Sequence, residues 1–193
     1  MKCPVCPTID LKTSKLESNL KAGKCHKCDG KWISSSDYWD WLDEQGEILP
    51  EKQPDSMPIE VSDVQKAKLC PECRRIMLRY KVGHGMTFTL DQCSSCGFWF
   101  DENEWEALRE RNLHDEVNRI FSASWQAQIR QEEAQKFLES MYFDHLQEDY
   151  DKVKQIKEWI ENHPEKDLIQ GYLANPEPYT MSSSAYDQVR EVN

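Results

Sequence analysis

Eight cysteines fall into four Cys-x-x-Cys pairs, and the pairs come in twos. Cys3-Pro4-Val5-Cys6 is followed eighteen residues later by Cys25-His26-Lys27-Cys28, and Cys70-Pro71-Glu72-Cys73 nineteen residues later by Cys93-Ser94-Ser95-Cys96. Thiolates are soft donors, and two facing knuckles can put four of them on one tetrahedral ion. The spacing therefore points to two structural Zn2+ sites, Cys3, Cys6, Cys25 and Cys28 in one and Cys70, Cys73, Cys93 and Cys96 in the other. A rubredoxin-like iron or iron–sulfur site uses the same ligand type. Thiol redox chemistry is the competing use, but it places a Cys-x-x-Cys at a helix N-terminus after a strand, whereas here each pair flanks a hairpin. His26, inside a knuckle, and His84, at a hairpin tip, read as turn residues. No His-Glu-x-x-His, nucleophile elbow or phosphate-binding Gly loop occurs, so no catalytic residue is assigned.

The elements that must hold these knuckles can be read around them. Residues 9–24 form a weak hairpin with Ile9, Leu11, Leu16 and Leu20 as its apolar points, so the metal rather than the strands should specify that module. The second hairpin is cleaner. Ile76, Leu78 and Tyr80 alternate outward, Gly83-His84-Gly85 turns, and Met86, Phe88 and Leu90 alternate back. Each closing knuckle leads to a Trp, in Asp29-Gly30-Lys31-Trp32-Ile33 and in Gly97-Phe98-Trp99-Phe100. Both Trp side chains are expected to pack over their ribbons. A helix start follows each time: Ser34 with Asp37 before a helix over 36–45, and Asp101 as N-cap with Glu104 three residues on. Trp39 and Trp41 lie two apart on the first helix, so one is expected to be exposed, as at a protein contact. Matching these features gives an internal duplication with a period of 67 to 68 residues.

At Cys28-Asp29-Gly30-Lys31-Trp32-Ile33 and Cys96-Gly97-Phe98-Trp99-Phe100-Asp101-Glu102-Asn103-Glu104 the chain resembles the TFIIB-type zinc-finger family of bacterial and archaeal proteins. The second copy is one residue short before the Trp, and the first has Ser34 where Asp is usual. The resemblance covers residues 1–45 and 67–112. It implies zinc binding and a ribbon fold, and it implies little about activity.

The fold class that follows is a small metal-stabilised α+β protein: two tandem zinc ribbons, each with a short helix, then an α-helical C-terminal region. We expect ribbon 1 over 1–45, a linker over 46–66 with Pro50, Pro54 and Pro58, ribbon 2 over 67–112, an acidic helical region over 113–175, and a disordered tail over 176–193. A helical stripe from Val117 to Ile160 has no Gly or Pro, and reads as one long helix or as a bend or αα-hairpin near 144–151.

Charge narrows the partners. The 193 residues carry a net −11. Residues 1–100 balance fourteen basic against fourteen acidic residues, while 101–193 hold ten against twenty-one. The acidic half repels nucleic acid and suits a basic protein surface. The ribbons are mildly basic, with Arg74, Arg75, Arg79 and Lys81 as the best patch, but a four-thiolate zinc site removes two charges from each. No membrane-length apolar run or signal peptide is read, which makes a reducing cytoplasm the expected setting and metal ligation likelier there than disulfides. The leading expectation is a non-enzymatic zinc-binding adaptor with a protein partner in transcription, and with homo-oligomerisation through 114–161 possible. The alternatives are a nucleic-acid-binding ribbon protein and a metallochaperone or thiol-dependent enzyme.

Overall fold

The structure, a computed structural model, describes residues 1–17, 19–46, 49–52 and 59–174. Residues 47–48 and 53–58 of the expected linker and the expected tail over 176–193 lie outside the described residues.

Among the described residues six antiparallel strands form one sheet. The first hairpin supplies β1 (Lys12–Lys15) and β2 (Lys21–Lys24), and β3 (Lys31–Ser34) follows the second knuckle. The second hairpin supplies β4 (Leu78–Gly83) and β5 (Met86–Cys93), with β6 (Gly97–Phe100) after its closing knuckle. The strand order is β1-β2-β3-β6-β5-β4, so the two ribbons meet at their last strands and share one sheet. β3 pairs with β6 in the register Lys31–Phe100, Trp32–Trp99, Ile33–Phe98 and Ser34–Gly97. Gly97 permits that approach, because a Cβ there would lie 2.1 Å from the Ile33 carbonyl oxygen.

The pleat sorts the central residues onto two faces. Trp32 and Trp99 point to one face, where they pack with Met77 and the buried cysteines. Ile33, Phe98 and Phe100 point to the other, into a core with Tyr38, Trp41, Trp105 and Leu108. That second core is capped by helices α1 (Ser35–Gln45) and α2 (Glu104–Glu110), followed by α3 (Val117–Ile120) and α4 (Ala123–Leu146). Trp41 and Trp105 meet edge-to-face at 5.8 Å, joining the helix of one ribbon to that of the other. Ile129 of α4 lies over Gly83, and the Trp125 indole donates to the Val82 carbonyl.

Two expectations shift in register. The Ile76 and Leu78 side chains are exposed, and Met77 and Val82 are buried instead. Met77 belongs to the face that covers the cysteines, which fixes the phase of the strand. The helix expected to start at Asp101 starts at Glu104, with Asn103 at the cap in a left-handed conformation (φ 67°). Glu104 still accepts from the Asp101 backbone N–H at 2.8 Å, so the return half of the capping box forms. At the first ribbon Ser34 is the N-cap and accepts from the Asp37 N–H at 3.0 Å. Trp41 is buried while Trp39 is 42% exposed.

The chain divides into Met1–Ala134 and Gln135–Asn193. In the second unit the helical stripe breaks at a 3-10 turn, Gln147–Asp149, where Gln147 takes φ 47°. Helix α5 (Tyr150–Glu161) and α6 (Lys166–Ala174) follow. The interruption falls within 144–151, the acidic stretch where the sequence leaves one long helix, a bend or an αα-hairpin open.

Candidate metal centres

All eight cysteines are brought into two sets of four: Cys3, Cys6, Cys25 and Cys28, and Cys70, Cys73, Cys93 and Cys96. Within each set the sulfurs lie within 4.8 Å of one another. The first cysteine of each knuckle is buried and the second half-buried, and all eight are free thiols. The Cys3–Cys28 sulfurs are 3.6 Å apart and the Cys73–Cys93 sulfurs 3.5 Å.

Local backbone explains the clustering. In a knuckle the chain turns so that its N–H groups point back at sulfur. Cys6 N–H donates to Cys3 Sγ at 3.2 Å, and Cys73 N–H to Cys70 Sγ at 3.5 Å. Asp29 and Arg74, each directly after a knuckle, take left-handed φ of 54° and 64°. Each turn is closed by backbone bonds: Cys25 N–H to the Gly30 carbonyl, and Cys70 N–H to the Arg75 carbonyl.

The electrostatics fit a divalent cation. Burial pushes the Cys3 thiol up to about 11 and raises Cys28 as well. Burial also raises Cys70 and Cys96, whereas the Arg75 backbone N–H leads the pull that brings Cys73 down to about 7. Four sulfurs this close repel one another as thiolates, so a dication is what lets all four ionise, and its affinity then rises with pH. Two sets of four thiols with N–H donors to sulfur fit two Zn2+.

Asp63, Asp101 and Glu104 form a third group of potential ligands, their oxygens within 4.8 Å of one another. It already has its cation. Lys68, 1% exposed, places Nζ 2.6 Å from Asp91 Oδ2 and 2.9 Å from Asp101 Oδ2, with a further bond to the Val64 carbonyl. Asp101 also accepts from the Trp99 indole at 2.7 Å and from Val64 N–H at 2.8 Å. The cluster therefore ties the segment before ribbon 2 to its sheet. Burial and the nearby Asp101 charge hold Glu104 well above the usual carboxylate range. Sequence reasoning passed over Lys68, because a lone Lys ahead of a knuckle carries no signal of burial.

The basic patch proposed for the second ribbon is partly spent on internal pairs. Arg79 binds Asp63 at 2.7 Å, and Lys81 binds Glu133 at 2.5 Å. His84 stacks on Trp125 at 4.5 Å and hydrogen-bonds Glu51, which gives it a packing role away from the cysteines.

Among the described residues no helix is long and apolar enough to cross a membrane. Comparison with curated proteins and with solved structures found no match. Residues 2–44 match the model of the transcription factor zinc-finger family, and the second four-cysteine set supports a second zinc ribbon beside that first one.

Proposed function

We propose that this chain is a non-enzymatic, zinc-binding interaction protein of a reducing, cytoplasmic setting, acting in transcription through a protein partner. Cys3, Cys6, Cys25 and Cys28 hold one Zn2+, and Cys70, Cys73, Cys93 and Cys96 the other. The ion is structural in each case, since four protein sulfurs leave no open position for a substrate.

The observation that carries the partner reading is the apolar surface of the second unit. Phe137, Tyr142 and Phe143 on α4 are 51–70% exposed, and Trp159 on α5 and Leu168 and Tyr172 on α6 are 57–70% exposed. Large aromatic side chains left open to water supply anchors of the kind that dominate protein–protein contacts. The surrounding acidic residues favour a partner with a basic rim. The pairing of Arg79 and Lys81 to acids in their own unit weakens the nucleic-acid reading.

The test uses the full zinc-loaded chain and a Phe137→Ser, Phe143→Ser, Trp159→Ser variant. Capture of a transcription-machinery protein from host extract that the variant abolishes while keeping its zinc is the expected result. Capture indifferent to the variant sinks the partner surface. Binding to mixed DNA and RNA that weakens steeply with salt moves the conclusion to a nucleic-acid-binding ribbon protein.

A further inference from the structure

The two centres are not merely adjacent. Three contacts cross from one ribbon to the knuckles of the other. The Trp32 indole N–H donates to Glu72 Oε1 at 3.0 Å, and Glu72 lies inside the Cys70–Cys73 knuckle. The Ser35 backbone N–H donates to the Cys96 carbonyl at 2.8 Å, a bond from the start of α1 to a cysteine of the second set. In the reverse direction the Trp99 ring fills the notch at Gly30, where a Cβ would lie only 2.2 Å from the ring. Gly30 is the residue whose carbonyl closes the Cys25 turn. Beneath these contacts β3 and β6 are directly paired, and Cys3, Cys25, Cys70 and Cys93 share one buried core with both Trp rings.

Each knuckle is therefore packed against a surface that the other ribbon supplies. Since binding a structural metal is coupled to folding its knuckles, ordering one centre prepays part of the ordering of the second. We propose that the two four-cysteine centres load as one cooperative unit, with Trp32, Glu72, Gly30 and Trp99 as the residues that couple them. Glu72 and Trp32 are positioning residues: they touch no metal, and they hold the loops that do. The inference rests on the zinc reading above.

The test is a Co2+ titration of the reduced, metal-free full chain. Native mass spectrometry counts chains with zero, one and two ions, and the sulfur-to-cobalt absorption band reports tetrahedral thiolate ligation. Independent sites put about half of the chains in the singly loaded form at half-saturation when the sites are equal and more than half when they are unequal, so a fraction below half requires coupling. Cooperative loading is expected to hold that form well below half. Trp32→Phe, which keeps the ring and removes the N–H, and Glu72→Ala are each expected to raise the singly loaded fraction towards half. Glu72→Gln, which keeps an acceptor, is expected to behave like the parent. In a Cys3→Ser, Cys6→Ser chain the second centre should bind Co2+ about tenfold more weakly or worse, within the usual range of coupling between sites. A second centre indifferent to loss of the first, or a singly loaded fraction that Trp32→Phe and Glu72→Ala both leave unchanged, overturns the coupling. Failure to develop the sulfur-to-cobalt band at all overturns the zinc reading itself, so the two failures are distinguishable.

Discussion

The two ribbons carry the same ligand spacing on unequal supports. The first has four-residue strands, and Lys12, Thr13 and Lys15 of β1 are all exposed. Its apolar contribution comes from Leu20, Ala22, Ile33, Tyr38 and Trp41. The second has strands of six and eight residues, and Val82, Phe88, Leu90, Phe98 and Phe100 are buried under α2, α3 and the start of α4. It also holds the buried Lys68–Asp91–Asp101 cluster. Equal chemistry thus sits on a thin scaffold in one half and a thick one in the other. The metal should dominate folding only where the core is too small to do so.

Metal removal should separate the halves most strongly, since a structural zinc contributes roughly 10–16 kcal/mol in isolated zinc-finger peptides. After chelation, hydrogen exchange should show β1 and β2 amides losing all protection while β4 and β5 amides keep a measurable part of theirs. Equal loss in both hairpins would erase the distinction between them.

Trp41→Ala and Trp105→Ala should each cost about 3–5 kcal/mol, as for other large core truncations. Because the two rings touch across the shared core, both variants should lower protection in both ribbons. A loss confined to the mutated half would show that the common core does not join them.

Lys68→Met should cost about 3–5 kcal/mol, because Asp91 and Asp101 are left buried without their counter-charge. Chemical denaturation should report this as a destabilised second ribbon. An unchanged midpoint would mean that the cluster contributes nothing to the thicker scaffold.

The smallest effect concerns Glu104. Among the described residues one of its oxygens is buried without a hydrogen-bond partner, and burial raises its carboxyl. A raised acid binds its proton more tightly in the folded chain. The stability it contributes is fully present below the ordinary value of 4.5 and is lost as pH rises through the folded value. Glu104→Gln should therefore raise the thermal midpoint at neutral pH and flatten its pH dependence. The gain should be about 1–3 kcal/mol, the scale of an unsatisfied buried polar group. A lower midpoint at pH 7 would show that the ionised carboxylate is the favoured form.

The cysteine knuckles, the two hairpins and the first helix cap were legible because each is a local pattern of spacing, turn residues and capping chemistry. The joint between the ribbons was not, since pairing of β3 with β6 brings together residues more than sixty positions apart. One local clue existed. Gly97-Phe98-Trp99-Phe100 is apolar at every position and wholly buried, which marks a strand covered on both faces rather than one at an edge. The position of Asp101 suits a helix cap, but its oxygens serve Trp99, Val64 and Lys68. That competition for a single carboxylate is settled by tertiary packing, which local spacing does not encode.

Zinc K-edge absorption on the purified, reduced full chain, combined with metal counting, probes both four-cysteine centres at once. Two Zn2+ per chain are expected, each surrounded by four sulfurs at about 2.3 Å. Fewer than two tightly held ions, or nitrogen or oxygen neighbours in place of sulfur, would contradict it.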